Sequence, residues 1–488
     1  MKSDTLKGTI IRGSSGRLAV TPATLATAKG YGSRVISGDT PVRRDVGRLW
    51  AAYAVSEAGT AVGAGALPLV ALLVLHLGPL EVSVVAALSG IVAAVLALPL
   101  GSLIEFRPKR SAMVAADLAR FAAFGSVPVA AAFGALTYAH LCAVAVVQAL
   151  GVIAFGAASG AHLKALVPAD ERLQVVSRFE TTFWTATTVG PPIGGALVSL
   201  VGATASMAVD AVSFLLSAIG VRRLRTPEPA PPVRRPGTNR RSDLAAGWRE
   251  IHAHRGMRAL FWNSLLCGGS LMMAAPLVPV LMLRDLGFAP WQYGLALGVP
   301  GLGGIVGALL TPRLTQRYGA RRVLMTSGVA RTMWMSLIAL ATPGATGLVL
   351  IITANTLLLL SAGAFNPSFT AYRLTAAPDD HVVRVIASWS ISQRTAQPMF
   401  MLAGGVLAEA TSARTAILVA AVLLVSSAAL LPWRAPDAGP PGSAPPCGAE
   451  TGGLSDVDQA AGQVAVATAP PVTSTVSCTS SVPFGTRT

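Results

Sequence analysis

Six charged side chains stand inside stretches that are otherwise apolar: Glu57, Asp117, Arg120, Asp210, Arg331 and Arg394. A charge at the centre of a bilayer costs about 2.5–3.5 kcal/mol on insertion scales, so such groups face a cavity or pair with one another. Glu57 lies about 8 residues into its apolar stretch, roughly 12 Å deep at the α-helical rise. Its helical neighbours Tyr53, Ala54 and Ala61 offer no base. A carboxyl group in a poorly solvated cavity holds its proton more tightly than one in water, which alternating proton uptake and release requires. The rival is a carboxyl group permanently hydrogen-bonded in a helix contact. Asp117 and Arg120 are three apart and can pair on one helix, in a structural or gating role. Asp210 is placed nearer the outer face, with coupling and structural roles both open. Arg331 and Arg394 have no acid in their own apolar stretches until Glu409, so their partners are expected in the first half of the chain or in a bound compound. Phe179, Phe183, Trp184, Trp262 and Trp389 are candidate cavity walls or lipid-facing residues.

Nothing points to covalent catalysis. The chain has no nucleotide-binding Gly-Lys-Ser loop, no Ser/His/Asp grouping and no His pair on an apolar helix. Its 4 cysteines form no CxxC or Cys/His spacing, so no metal, cofactor or disulfide framework is expected. The residues read as ion-pairing and proton-exchanging groups, not as an enzyme's.

The elements that must hold these charges are membrane helices. The 488 residues are 52% apolar and 12% charged, where soluble chains carry about 25% charged residues. Windows of roughly 20 apolar residues can cross the hydrocarbon. Twelve are expected, near 49–75, 82–103, 112–134, 138–158, 176–200, 203–221, 259–282, 292–312, 323–342, 346–366, 386–408 and 413–432. The chain also repeats itself at an offset of about 210: Phe155, Thr185, Gly194, Gly195 and Ala203 answer Phe365, Thr395, Gly404, Gly405 and Ala413. Ala119-Arg120 likewise answers Ala330-Arg331. A duplicated apolar half of this length marks a two-bundle membrane transporter with its site between the halves. The fold class expected is therefore all-α and membrane-embedded, with two pseudo-symmetric six-helix bundles.

Charge sets the expected orientation. Of the 38 Lys and Arg, 33 fall on one side of this topology and only Arg284 and Arg414 on the other. By the positive-inside rule both termini are cytoplasmic. The net charge of +16 is thus topogenic and does not suggest nucleic acid. Arginine-rich, lysine-poor usage points to the plasma membrane of a GC-rich bacterium. The expected organisation is a loose basic tail over 1–46, lacking the apolar core of a signal peptide, and bundles over 47–222 and 258–433. A linker over 223–257 carries a surface helix capped by Ser242, and a Pro/Gly/Ser/Thr-rich tail occupies 434–488.

Three local patterns carry a family resemblance. The stretch Gly101-Ser-Leu-Ile-Glu105-Phe-Arg107-Pro-Lys109-Arg110 is similar to the Gly-x-x-x-Asp-Arg-x-Gly-Arg-Lys loop of the major facilitator superfamily. Its duplicate retains Arg317, Gly319, Arg321 and Arg322 but no acid. Gly190-Pro191-Pro192-Ile-Gly194-Gly195 resembles the Gly-Pro-x-x-Gly-Gly pattern of facilitator antiporters, a bend with a smooth face. Asp117-Leu-Ala-Arg120 and Asp210-Ala-Val-Ser-Phe214 complete a resemblance to the drug, macrolide and siderophore exporters of the enterobactin-exporter-like group. The resemblance implies a gating latch at Glu105 and export of a small amphipathic compound by proton antiport, through a protein acting as a monomer. Span 4 departs from many proton-coupled exporters: Gln148 is present, but the arginine of their Arg-x-x-Gln-Gly pattern is not. A uniporter or importer on the same fold, and a membrane scaffold or sensor without transport, remain the alternatives.

The topology has a direct test. An enzyme reporter active only outside the cytoplasm should be active when fused after Leu286 and silent after Arg235; the reverse pattern overturns the orientation.

Overall fold

The computed structural model describes residues 41–167, 171–226, 228, 240–377 and 382–433. All regular structure among them is helical. In the first half, α1 (Pro41–Gly63) and α2 (Ala66–Leu73) form the first segment, followed by α3 (Pro79–Glu105) and α4 (Lys109–Ala132). α5 (Tyr138–Leu166), α6 (Arg172–Val201) and α7 (Ala203–Arg222) complete that half. α8 (Arg240–Ala253) belongs to the linker. The second half opens with α9 (Arg255–Ala274), α10 (Leu277–Val280) and a π turn, then α11 (Pro290–Gly298) and α12 (Pro300–Tyr318). It continues through α13 (Ala320–Met333), α14 (Met335–Ala339), α15 (Ala345–Ala376), α16 (Val382–Ala410) and α17 (Ala413–Ser426).

These helices form twelve segments at the expected places, and among the described residues 9 are long and apolar enough to cross a membrane. The fifth, ninth and eleventh fall short by that measure. α6 and α16 are equivalents in the two halves, and each packs against the opposite half: α6 on α11, α16 on α3. Their polar residues, among them Glu180 and Arg394, therefore belong to helices at the junction.

Two expectations shift. Residues 41–46 are helical, because the buried Asp45 carboxylate ties α1 to the end of α7: it accepts from Arg225 N (2.7 Å), Thr226 N (2.6 Å) and Thr226 Oγ1 (2.7 Å). α8 begins at Arg240, so Ser242 lies inside the helix and not at its cap. Residues 1–40, 229–239 and 434–488, which carry the expected tails and the linker stretch, lie outside the described residues.

The core is one piece at the end remote from the termini and two pieces at the end that carries them. Leu69, Val70 and Met207 of the first half join Leu281, Tyr293 and Ile417 of the second in a single cluster. Toward the termini, Leu49, Met113, Phe155 and Val221 form one core, and Phe261, Phe365 and Trp389 another. The halves are thus welded at the far end and separate toward the termini.

Glycine pairs make that weld. A methyl group on Gly194 would strike the carbonyl of Val62 in its own half, whereas one on Gly195 would strike Gly294 and the carbonyl of Pro290 across the junction. The duplicate pair repeats the division: Gly404 abuts Met273 of its own half, and Gly405 abuts Ser83 and Leu80 across it. α11 and α12 answer with their own small residues: Gly298 lies against Pro192 and the Thr188 carbonyl, and Gly301 against the Thr188 side chain. α6 runs as one helix through Pro191 and Pro192.

Overpacking such a contact costs about 1–3 kcal/mol. Gly194→Ala and Gly404→Ala should therefore lower thermal stability. Gly195→Ala and Gly405→Ala should instead shift labelling of single cysteines at the two ends, by opening the far end. Equal effects of all four on melting and labelling would overturn the division of labour.

Candidate functional site

Arg120 organises the first half. Its helix is apolar on most faces, so the guanidinium, 3% exposed, can find partners only between helices. Nε donates to Gln148 Oε1 at 2.9 Å and Nη2 to Thr60 Oγ1 at 2.9 Å. Nη1 reaches Ser56 Oγ and Asp117 Oδ1, each at 3.4 Å, and the guanidinium lies 3.7 Å over the Phe214 ring. Asp210 and Glu57 also act on it electrostatically. The expected Asp117–Arg120 pair is present, and Gln148 serves it.

Asp210 is buried against the first segment. Its carboxylate lies where a side chain on Gly63 would stand, and it accepts from Ser213 Oγ at 3.3 Å. Asp210 thus stands in the half of α7 nearer its far end and acts on Arg120 electrostatically.

Glu57 differs. It is half-buried, and among the described residues it has no hydrogen bond or ion pair. It lies where α1 meets α6: one turn toward the termini, Tyr53 packs against Phe179 in a tilted arrangement with ring centroids 4.8 Å apart, and one turn the other way, Ala61 meets Gly190. Beyond Tyr53, Trp50 Nε1 donates to Thr182 Oγ1 at 3.0 Å. Tyr53 feels both Glu57 and Glu180. Glu180 was not singled out from the sequence. Its helical register gives it away: Glu180, Trp184 and Thr188 recur every four residues on the face of α6 that turns to the second half. Glu180 and Trp184 are exposed there, beyond the last tight contact at Thr188.

In the second half, Arg331 and Arg394 stand away from the acids described there, Asp285 and Glu409, which lie at the far end. Arg331 donates to Asn263 Oδ1 at 2.6 Å and lies 3.6 Å over Phe365, so its contacts are in its own half and not with Glu57, Asp117 or Asp210. Arg394 is exposed, one turn from Pro398, where α16 meets Gly90 of α3. Trp389 is a core residue, 3% exposed, donating to Ser264 Oγ at 3.0 Å, and not a cavity wall.

The basic loops have a shared structural task. Arg110 Nη2 donates to the Arg222 carbonyl at 2.8 Å, and Arg321 Nη2 to the Trp433 carbonyl at 2.9 Å. Each guanidinium thereby satisfies carbonyl groups at the end of the sixth segment of its half, where helical partners run out. Gly319 joins α12 directly to α13 at φ 85°, a conformation that favours glycine. Three residues make the first-half turn, and Pro108 serves there at φ −56°. Lys109 Nζ donates to the Ile104 and Arg107 carbonyls, at 2.9 and 2.8 Å. An unforeseen acid completes this corner: Glu228 accepts from Lys109 N at 2.9 Å and Arg110 N at 2.6 Å, beside the buried His162. The latch expected of Glu105 falls on a side chain outside the described residues, and nothing places Arg107, Arg317 or Arg322 across the junction.

The chain matches the family model described as "Transmembrane secretion effector" over residues 36–445. The multidrug efflux pump Tap of Mycolicibacterium fortuitum is 24% identical over 337 residues, 68% of this chain and 81% of that protein. Among solved structures, the nucleoside transporter NupG superposes with a TM-score of 0.60 at 15% identity, covering 79% of this chain and 98% of that one. A bacterial homologue of the iron transporter ferroportin, in its inward-facing state, gives 0.59 at 17% identity, covering 79% and 98%. At such identities the structural likeness speaks to the fold alone.

The Arg120 network yields a stability test. Removing one partner of a buried pair costs about 3–5 kcal/mol, so Arg120→Gln should sharply lower the melting temperature of the purified protein. Adding Asp117→Asn should restore part of the loss. A double variant no more stable than Arg120→Gln would mean that Asp117 is not the charge left stranded.

Proposed function

This chain belongs to the transmembrane secretion effector family of the major facilitator superfamily, and from that premise we propose that it exports a small amphipathic compound in exchange for protons. Membership makes it a multi-pass membrane transporter and not an enzyme. In the proposed orientation the termini are cytoplasmic, in a bacterial plasma membrane, and residues 47–222 and 258–433 rock as two bodies in a monomer. The gap between the halves then faces the cytoplasm, ready to load. The likeness to an efflux pump supports export over uptake.

One observation carries the coupling assignment. Among Glu57, Asp117 and Asp210, Asp117 accepts a hydrogen bond from Arg120 and Asp210 one from Ser213, while Glu57 is half-buried without a hydrogen bond among the described residues. A carboxyl group that must gain and lose a proton each cycle needs a site with access and without a permanent partner. The aromatic rings beside it, Tyr53 and Phe179, with exposed Phe183 and Trp184 on α6, suit an apolar body. Arg120 is the nearby fixed positive charge that keeps an ionised Glu57 tolerable in the bilayer.

The test is efflux from loaded cells or inverted vesicles, with and without a pH gradient. Glu57→Gln, which resembles the protonated form, should abolish uphill export while leaving downhill exchange or compound binding in place. Glu57→Ala controls for shape. Wild-type uphill pumping by Glu57→Gln would remove Glu57 from the coupling role.

A further inference from the structure

Arg120 and Arg331 are duplicates, and the two halves treat them in opposite ways. Arg120 has three carboxylates acting on it. Arg331 is 8% exposed and has none. Its surroundings among the described residues are the Asn263 side-chain oxygen at 2.6 Å, the face of Phe365 at 3.6 Å and the Cys267 side chain, which acts on it electrostatically. Asn263 is already committed elsewhere, its Nδ2 donating to the Ser427 carbonyl at 2.6 Å. The buried Nε of Arg331 has no partner. The carboxylates described in the helical segments of the second half stand at the far end: Asp285 beside Arg284 and Arg414, and Glu409 beside Gly78. A guanidinium cannot shed its proton in a protein, and burying it unpaired is far costlier than burying it beside an anion. The first half meets that demand with carboxylates. Nothing described in the second half meets it.

We infer that Arg331 holds a small monovalent inorganic anion of the halide class against its free Nε. The anion stands in for the carboxylates that neutralise Arg120. Asn263 fixes the guanidinium by accepting from Nη2, which leaves the Nε–H as the donor for the anion, with the Cys267 S–H as a second, weak one. Near-complete burial excludes the amphipathic compound itself, so the partner can be no larger than a small ion. The competing source of negative charge is internal: a Cys267 thiolate would neutralise Arg331 without any anion.

The full-length protein in lipid nanodiscs separates these cases. Melting is followed as chloride replaces gluconate at constant ionic strength. The wild type should gain a few degrees along a saturable curve, Cys267→Ala should keep that gain, and Arg331→Gln should lose it. A wild-type melting temperature indifferent to chloride overturns the site, as does a chloride response that survives in Arg331→Gln. Sensitivity appearing only in Cys267→Ala overturns it in favour of the thiolate. If Arg331→Gln does not accumulate, wild-type crystals grown in bromide decide: anomalous density within hydrogen-bond reach of Arg331 Nε supports the site, and its absence at that atom refutes it.

Discussion

The architecture depends on backbone-to-backbone approach at one end of the molecule. Lipid offers no hydrophobic drive for helices to associate, so close packing of small residues must hold them. Each half supplies a Gly-Gly pair in its fifth helix, and within each pair the duties are split: the first glycine admits a helix of its own half, the second a helix of the other. A single pair of adjacent residues thereby fixes both the inside of a bundle and its seating on the partner. Duplication doubles the device, and the two copies flank the junction, α6 on α11 and α16 on α3. That explains why Gly194-Gly195 persists as Gly404-Gly405 while the prolines before the first pair have no counterpart in the second.

The same duplication has let the charges diverge. Arg110 and Arg321 have kept one task, satisfying the carbonyl end of the sixth segment in their half, so their geometry recurs nearly unchanged. Arg120 and Arg331 kept their position but not their company. The first has become the hub of an acidic network reaching α1, α5 and α7, while the second is held by one amide and one ring. Acids therefore accumulate on one side of the gap and bases on the other.

Much of this was legible in the sequence, for reasons that can be traced. Span positions follow from apolar length, and the halves follow from the repeat, because both are one-dimensional properties of the chain. The Asp117–Arg120 pair follows from spacing on one helix. What escaped were contacts made by chain segments distant in sequence. Glu228 reads as one acid in a Pro/Arg-rich linker, and only folding brings it to the first amides of α4. Asp45 reads as part of a loose tail until it meets Arg225 and Thr226. Trp389 reads as a cavity wall or a lipid-facing residue because an aromatic residue in an apolar stretch carries no sign of which way it faces. Glu180 was within reach, since its four-residue register with Trp184 and Thr188 is visible in the sequence once Thr188 is known to touch α12.

On the proposed reading, the weld and the coupling group are parts of one seam. Along α1, Val62 and Ala61 lie against Gly194 and Gly190, where backbone and the Ala61 methyl group alone separate the helices. One turn further stands Glu57, and Tyr53 packs against Phe179 below it. α6 is shared between this seam and the junction with α11. A charge on Glu57 demands water or a cation, and so favours an arrangement in which the gap at that level is open. A proton on it removes that demand and tolerates closure. The protonation state can then bias the angle of α6, and the glycines at Gly195 and Gly294 transmit that angle to the other half because rigid packing there leaves no slack to absorb it. Proton exchange would thus reach the second half through backbone contact and not through an ion pair, which is consistent with an Arg331 that has no partner across the junction.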